Sequence, residues 1–279
     1  MMSNLAARVL VAVIAIPLIV AACYFGGPYF FLFTTAIIIL AANEFYSLAK
    51  AKNIEPSAVV GVVSAGMLNA IAYSSGLSAE FDLLILIIAF VLLWELARRR
   101  TEKVTGTFEN AGATLAGIVY VGLFGSMLTV VRERIGLDNV LRSDREAGMF
   151  IIAILASIWI CDSAAYFVGK AIGKHKMSRF VSPNKTWEGG IAGFIFAVAA
   201  AVGAKYLAMP DLSLKIATAM GVIVGLFGQA GDFVESMFKR DAGVKDSSNL
   251  IPGHGGIFDR FDSLLFSAPL IYLMLKYLG

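Results

Sequence analysis

The chain has 279 residues, 58% of them hydrophobic and 15% charged, with a mean hydropathy of +0.79 and a formal net charge of +3. Soluble domains carry roughly 25% charged residues, so a water-soluble globule is excluded and no nucleic-acid partner is expected. Apolar runs recur along the whole length with neither heptads nor internal repeats, which predicts one all-α polytopic membrane domain, residues 1–279, of about nine transmembrane helices.

The first two spans are expected at 9–25 and 29–49, separated by the tight turn Gly26-Gly27-Pro28. Val20-Ala21-Ala22-Cys23 loosely resembles a lipoprotein processing site, but no flexible tether follows Cys23, and the segment is read as an uncleaved first helix. Cys23 and Cys161 both fall inside spans and neither belongs to a CxxC pair, so no disulfide framework or zinc site is expected. Spans at 58–75 (diluted by Asn69), 82–97 and 112–131 complete an N-terminal part, residues 1–130, with a scaffold or dimerisation role. Residues 131–279 hold the spans 148–169, 190–208, 213–232 and 261–277 together with the two densest polar segments, and are expected to be catalytic.

Charge orients the bundle. With the N-terminus in the cytoplasm, 16 of the 23 Lys and Arg residues fall on inner segments, and four of the other seven lie in residues 132–147. The positive-inside rule then places the N-terminus inside and the C-terminus outside. In that topology Glu44, Glu95, Asp162 and Asp232 lie near the cytoplasmic ends of their helices, and Asp259 and Asp262 at the cytoplasmic start of the last one. Ionisable residues within spans are functional candidates. For Glu44 and Glu95 a simple reach to interfacial water is an equal reading. Asp162, Asp232 and Asp259 each abut a dense polar segment. Asp259 and Asp262 are spaced i, i+3, as are Asp232 and Glu235, so each pair shares a helix face and could hold a hard cation through oxygen.

The first polar segment, 169–190, contains Ser182-Pro183-Asn184-Lys185-Thr186, with Thr186 as the expected N-cap of the next helix and Glu188 in its first turn. A helix N-terminus beside Lys185 is a ready anion site. Lys174, Lys176 and Arg179 are read as topology and headgroup cations, and His175 as a solvated loop residue. The second segment, 236–262, interleaves Lys239, Arg240, Lys245 and Arg260 with Asp241, Asp246, Asp259 and Asp262 around Gly253-His254-Gly255-Gly256. That mixture suits phosphate and a divalent metal. His254 is read as a turn residue or phosphate contact. Neither GxxxxGK[ST] nor GxGxxG occurs, so any nucleotide is held by other means.

Ser236-Met237-Phe238-Lys239-Arg240, Lys245-Asp246 and Pro252-Gly253-His254-Gly255-Gly256-Ile257-Phe258-Asp259-Arg260-Phe261-Asp262 together resemble the C-terminal signature of bacterial-type phosphatidate cytidylyltransferases, the CDP-diacylglycerol synthases. Asp162-Ser163-Ala164-Ala165-Tyr166 and Ser182-Pro183-Asn184-Lys185-Thr186-Trp187-Glu188-Gly189 are also similar to family motifs, with Asn184 where many members carry lysine. The likeness is dense from Asp162 onward, whereas residues 1–130 match mainly in hydropathy and length.

The resemblance implies transfer of a cytidylyl group from CTP to phosphatidate in the inner, cytoplasmic membrane, dependent on Mg²⁺, with potassium as a second cation and a homodimer formed through membrane helices. On this reading Asp232 and Asp259 hold the metal with Asp262, Asp246 and Asp162 in support. Lys185, Lys239, Arg240, Lys245 and Arg260 neutralise phosphate, while Ser182, Thr186, Glu188, Ser236, His254, Gly255 and Gly256 line the substrates. The alternatives are an ion-coupled transporter, whose acids would sit near the bilayer midplane, or another lipid-nucleotide transferase. The spaced DG…AR…G…D…D motif of the alcohol phosphotransferases is not found.

Overall fold

The computed structural model describes residues 4–100, 105–134, 141, 143–250 and 255–278. Among these, each expected apolar segment is a helix: α1 (Asn4–Phe25), α2 (Gly27–Ala51), α3 (Ala58–Ser74), α4 (Leu77–Arg98), α5 (Thr107–Glu133), α6 (Asp144–Ile172), α7 (Trp187–Ala208), α8 (Leu214–Asp241) and α9 (Phe258–Leu278). Six of them, α2 and α5 to α9, are long and apolar enough to cross a membrane. α3 is a shorter apolar helix. Along α4, Glu80, Asp82, Glu95 and Arg98 interrupt the hydropathy. The protein is a multi-pass helical membrane protein.

Two departures from the expected pattern position the site. First, the apolar run of α8 fades at Asp232, yet the helix continues to Asp241. Ser236, Lys239 and Arg240 therefore stand on a helix rather than in a loop. Second, an all-α chain was expected, but Lys176–Ser178 (β1) and Ser182–Thr186 (β2) form an antiparallel hairpin, pairing Lys176 with Thr186 and Ser178 with Ser182. The Ser178 hydroxyl accepts the Val181 amide at 3.2 Å to close its turn. His175, exposed as expected of a solvated loop residue, accepts the Trp187 amide at its carbonyl (2.9 Å), and its Nδ1 lies 2.7 Å from Glu188 Oε1. Thr186 is the N-cap of α7 as expected, its Oγ1 accepting the Gly189 amide at 3.2 Å.

Helix packing follows membrane rules, in which small residues allow close backbone approach. α6 and α7 lie together along glycines: a Cβ added at Gly189 would fall 2.5 Å from the Ala165 carbonyl oxygen, and one at Gly193 would fall 2.9 Å from that of Cys161. α8 contains a π-helical turn at Val224–Gly228, a geometry common near functional sites. Just after it, Gln229 donates from Nε2 to Gly225 O at 2.5 Å and Gly190 O at 3.1 Å. The side chain thus serves a carbonyl of the widened turn and ties α8 to α7, one turn before Asp232. Under the second polar segment, Phe45, Tyr120, Phe238 and Phe258 form an aromatic cluster drawn from α2, α5, α8 and α9, with ring centroids 5.2 to 6.3 Å apart. It fixes the helix ends that carry the polar residues.

Candidate active site

Asp232, Glu235, Ser236 and Lys239 recur at i, i+3, i+4 and i+7 along α8, which puts them on one face. The first turn of α9 brings Asp259 and Asp262 against that face. Asp232, Glu235 and Asp262 each present a carboxylate oxygen within 4.8 Å of the others. Glu235 and Asp262 are buried, and Glu235 Oε1 has no hydrogen-bond partner among the described residues. Two lysines compensate the charge: Lys185 Nζ lies 2.5 Å from Asp232 Oδ2, and Lys239 Nζ lies 2.7 Å from Glu235 Oε2 and 2.6 Å from Asp259 Oδ1.

This cluster forms the floor of a cavity of about 810 Å³, between α6, α7, α8, α9 and the hairpin. Six carboxylates line it (Asp162, Asp232, Glu235, Asp246, Asp259, Asp262) with five cations (Lys170, Lys176, Lys185, Lys239, Arg260). Ile158, Trp159 and Tyr166 of α6 give it an apolar flank. The volume falls in the usual range for ligand sites, roughly 300–1,000 Å³. Carboxylates balanced by lysines suit a ligand that brings both phosphate and a hard cation.

Of the residues expected from sequence, Asp162, Lys185, Thr186, Asp232, Lys239, Asp246, Asp259, Arg260 and Asp262 all line this cavity. Asp259 is close to the carboxylate triad but outside it. Its Oδ1 meets Lys239, and its Oδ2 accepts the Ser247 amide (3.0 Å), the Ser247 hydroxyl (2.9 Å) and the Gly256 amide (2.8 Å). Gly255 adopts φ +82°, a conformation that favours glycine, and a Cβ there would sit 2.9 Å from Asp259 Oδ2. Ser236 stands behind the triad, with its hydroxyl 3.4 Å from Asp232 Oδ1.

Others serve the walls. Arg240 Nη1 donates to Val244 O at 2.9 Å and Nε to Val181 O at 3.4 Å, so its guanidinium links the hairpin to the segment after α8. Ser182 is a hairpin pairing residue, Glu188 holds His175, and Lys245 is exposed. His254 lies outside the described residues.

Glu235, read from sequence with Asp232 as a pair able to hold a cation but absent from the set that the resemblance implies, joins the triad. Three further lining residues are not among the expected site residues. Lys170, Lys176 and Asn184 line the cavity, whereas the basic run had been read as serving topology. Strand pairing turns Lys176 toward the site, which cannot be seen in composition.

Fold and site together define a membrane-embedded helical enzyme with a charged cavity at the helix ends. Residues 6–278 match the model of the Cytidylyltransferase family. The chain belongs to that family, and so is a nucleotidyltransferase. Among similar proteins, the phosphatidate cytidylyltransferase of Synechocystis sp. is 34% identical over 95% of this chain and 94% of its own length. The phosphatidate cytidylyltransferases of Staphylococcus haemolyticus and Staphylococcus aureus are 33% and 32% identical, each over 96% of this chain and 98% of the relative.

Proposed function

We propose that the enzyme transfers the cytidylyl group of CTP to phosphatidate, giving CDP-diacylglycerol and pyrophosphate. The observation that carries this reading is the lysine-compensated triad Asp232, Glu235 and Asp262 within a cavity that is charged on its floor and apolar on its α6 flank. A phosphate oxygen of phosphatidate is already anionic, so it needs no strong general base to attack the α-phosphorus of CTP. The new bond joins that oxygen to the α-phosphorus, and the bond from the α-phosphorus to the oxygen bridging to the β-phosphorus breaks. The barrier lies in bringing two polyanions together and in charge building on the departing pyrophosphate. Lys185, Lys239, Arg260 and Lys176 meet that charge from three sides of the cavity.

The donors also fit magnesium, since they are all oxygen and one buried acceptor, Glu235 Oε1, has no hydrogen-bond partner among the described residues. Asp232, Glu235 and Asp262 would hold the ion, with Asp259 keeping Lys239 and the adjoining segment in register. Bound there, Mg²⁺ supplies neutralisation of triphosphate and pyrophosphate oxygens. Potassium is proposed as a second cation in the same cavity, where Asp162 adds a carboxylate. All nine helices are proposed to span the inner membrane, with the cavity facing the cytoplasm and a homodimer formed through membrane helices. The Lys and Arg distribution supports this orientation.

Purified protein in detergent, given CTP, phosphatidate and Mg²⁺, is expected to release pyrophosphate in proportion to both substrates. Release that ignores phosphatidate would refute the lipid acceptor. For sidedness, cysteines placed at the exposed Arg179 and Lys245, in a chain lacking Cys23 and Cys161, should both label from the cytoplasm.

A further inference from the structure

Glu44 lies on α2, far in sequence from every residue of the cavity, and is only 6% exposed. Its carboxylate is fully engaged. Oε1 accepts the Ser248 hydroxyl at 2.6 Å and the Ile257 amide at 3.0 Å, while Oε2 accepts the Phe258 amide at 2.8 Å. Oε2 also lies 2.8 Å from the Ser247 hydroxyl. The two amides belong to the start of α9, so the carboxylate caps the positive end of that helix. A Cβ at Gly256 would run into both Ser247 Oγ and Glu44 Oε2, which explains why this turn has room only for glycine.

The Ser247 hydroxyl has one proton and two carboxylates in reach, Glu44 Oε2 at 2.8 Å and Asp259 Oδ2 at 2.9 Å. From Asp259 the contacts continue to Lys239 and from Lys239 to Glu235, at 2.6 and 2.7 Å. An unbroken polar chain therefore runs from α2 to the carboxylate triad.

We propose that Glu44 is a positioning residue for the transfer reaction: through Ser247 and the start of α9 it fixes Asp259, and through Asp259 it sets Lys239 and Glu235 at the site. This rests on the cytidylyl-transfer reading. Glu44 does not line the cavity, so its loss should change how well the site binds metal and CTP rather than remove a reacting group.

The test compares wild type with Glu44→Gln, Glu44→Asp and Ser247→Ala in detergent. Glu44→Gln keeps size but points an amide donor at two existing donors. It should lower kcat/KM for CTP about ten- to a hundredfold and raise the Mg²⁺ concentration needed for half-maximal activity, as expected when an outer partner of a metal site is lost. The Mg²⁺ concentration giving half the thermal stabilisation, read without substrates, should rise in parallel. Glu44→Asp, one methylene short, should recover part of the loss. Ser247→Ala removes the hydroxyl that bridges Glu44 and Asp259 but leaves the residue-247 amide on Asp259 and the helix cap, and should shift the Mg²⁺ requirement in the same direction by a smaller factor. In the double variant Glu44→Gln/Ser247→Ala the two shifts should fall short of additive, because one path carries both.

A Glu44→Gln protein that is merely less stable, with unchanged kcat/KM and Mg²⁺ requirement per folded molecule, would make Glu44 a helix cap only and overturn the proposal. Should Glu44→Gln not fold, an unshifted Mg²⁺ requirement in Ser247→Ala overturns it equally. If wild type released no phosphatidate-dependent pyrophosphate, the transfer reading itself would fail. Wild-type turnover with unaffected variants defeats only the role of Glu44.

Discussion

The N-terminal helices α1 to α5 and the C-terminal helices α6 to α9 both bury polar side chains, but the interhelical ties Asn69 and Arg132 differ in use from the groups around the cavity. In the first group Asn69 donates to the Thr34 and Thr35 hydroxyls and accepts from that of Thr129, tying α3 to α2 and α5. Arg132, 2% exposed, donates to the carbonyls of Cys23 and Tyr24 at the end of α1 and pairs with Asp144 at the start of α6. These groups spend their capacity on other protein atoms. In the second group Asp232, Glu235, Asp262, Lys185 and Lys239 are only partly matched among themselves and face a cavity. Burial alone does not mark function in a membrane domain. Unspent bonding capacity beside open volume does.

The largest expected effect breaks the second group at its centre. Asp232→Asn, Asp262→Asn and Glu235→Gln keep shape but remove a charge from the triad. Each should lower pyrophosphate release about a thousandfold or more, with the protein still eluting as a single folded species in detergent. Retention of wild-type activity by Glu235→Gln across a Mg²⁺ titration would remove that residue from the metal set and return Asp259 to it.

Next in size are the lysines that compensate the triad. Lys185→Gln and Lys239→Gln each remove one cation from the cavity, and loss of its charge-assisted contact with phosphate is worth about 1.5–3 kcal/mol or roughly ten- to a hundredfold in kcat/KM. Arg240, expected from sequence to hold phosphate, is bound to main-chain carbonyls instead. Arg240→Lys should therefore alter kcat/KM by less than Lys239→Gln does. An equal loss at Arg240 would mean that its guanidinium leaves those carbonyls for substrate.

A smaller contrast concerns the hairpin. Lys174 and Lys176 look alike in sequence, but only Lys176 lines the cavity. Lys176→Gln should cost about tenfold in kcat/KM, as for a single partly exposed phosphate contact. Lys174→Gln should change it by less than about threefold, since exposed cations contribute under ~1 kcal/mol. Equal small effects would show that the hairpin does not close over substrate in the way its pairing suggests.

These contrasts also mark what the sequence could reveal. Apolar run lengths located every helix of the described residues, because hydropathy is a local property. The i, i+3 spacing of Asp232 with Glu235 and of Asp259 with Asp262 exposed two of the faces that form the site. The length of α8 was misjudged, since hydropathy falls where the helix turns polar although its hydrogen bonding continues to Asp241. The hairpin was invisible because three- and five-residue strands have no periodicity to read. Glu44 could not be told from an acid reaching interfacial water, as its partners lie more than 200 residues away.

The last contrast tests the first group directly. Asn69 joins three helices through hydroxyl groups, and such interhelical bonds average about 0.6 and reach about 1.7 kcal/mol each in membrane proteins. Asn69→Ala removes all of them and leaves the hydroxyls of Thr34, Thr35 and Thr129 to re-pair locally. Thr34 can do so, since its hydroxyl already lies 3.0 Å from the Phe30 carbonyl and 2.9 Å from Thr129 Oγ1. The net loss should be about 1–2 kcal/mol of stability, read as a lower midpoint in thermal unfolding followed by size-exclusion chromatography. At a temperature where both proteins are folded, kcat/KM for CTP should stay within about twofold of wild type, because Asn69 belongs to neither the cavity nor the chain of contacts from Glu44 to Glu235. A tenfold fall in kcat/KM with an unchanged unfolding midpoint would mean that α3 transmits position to the site, and the division between scaffold and site would have to be redrawn to include it.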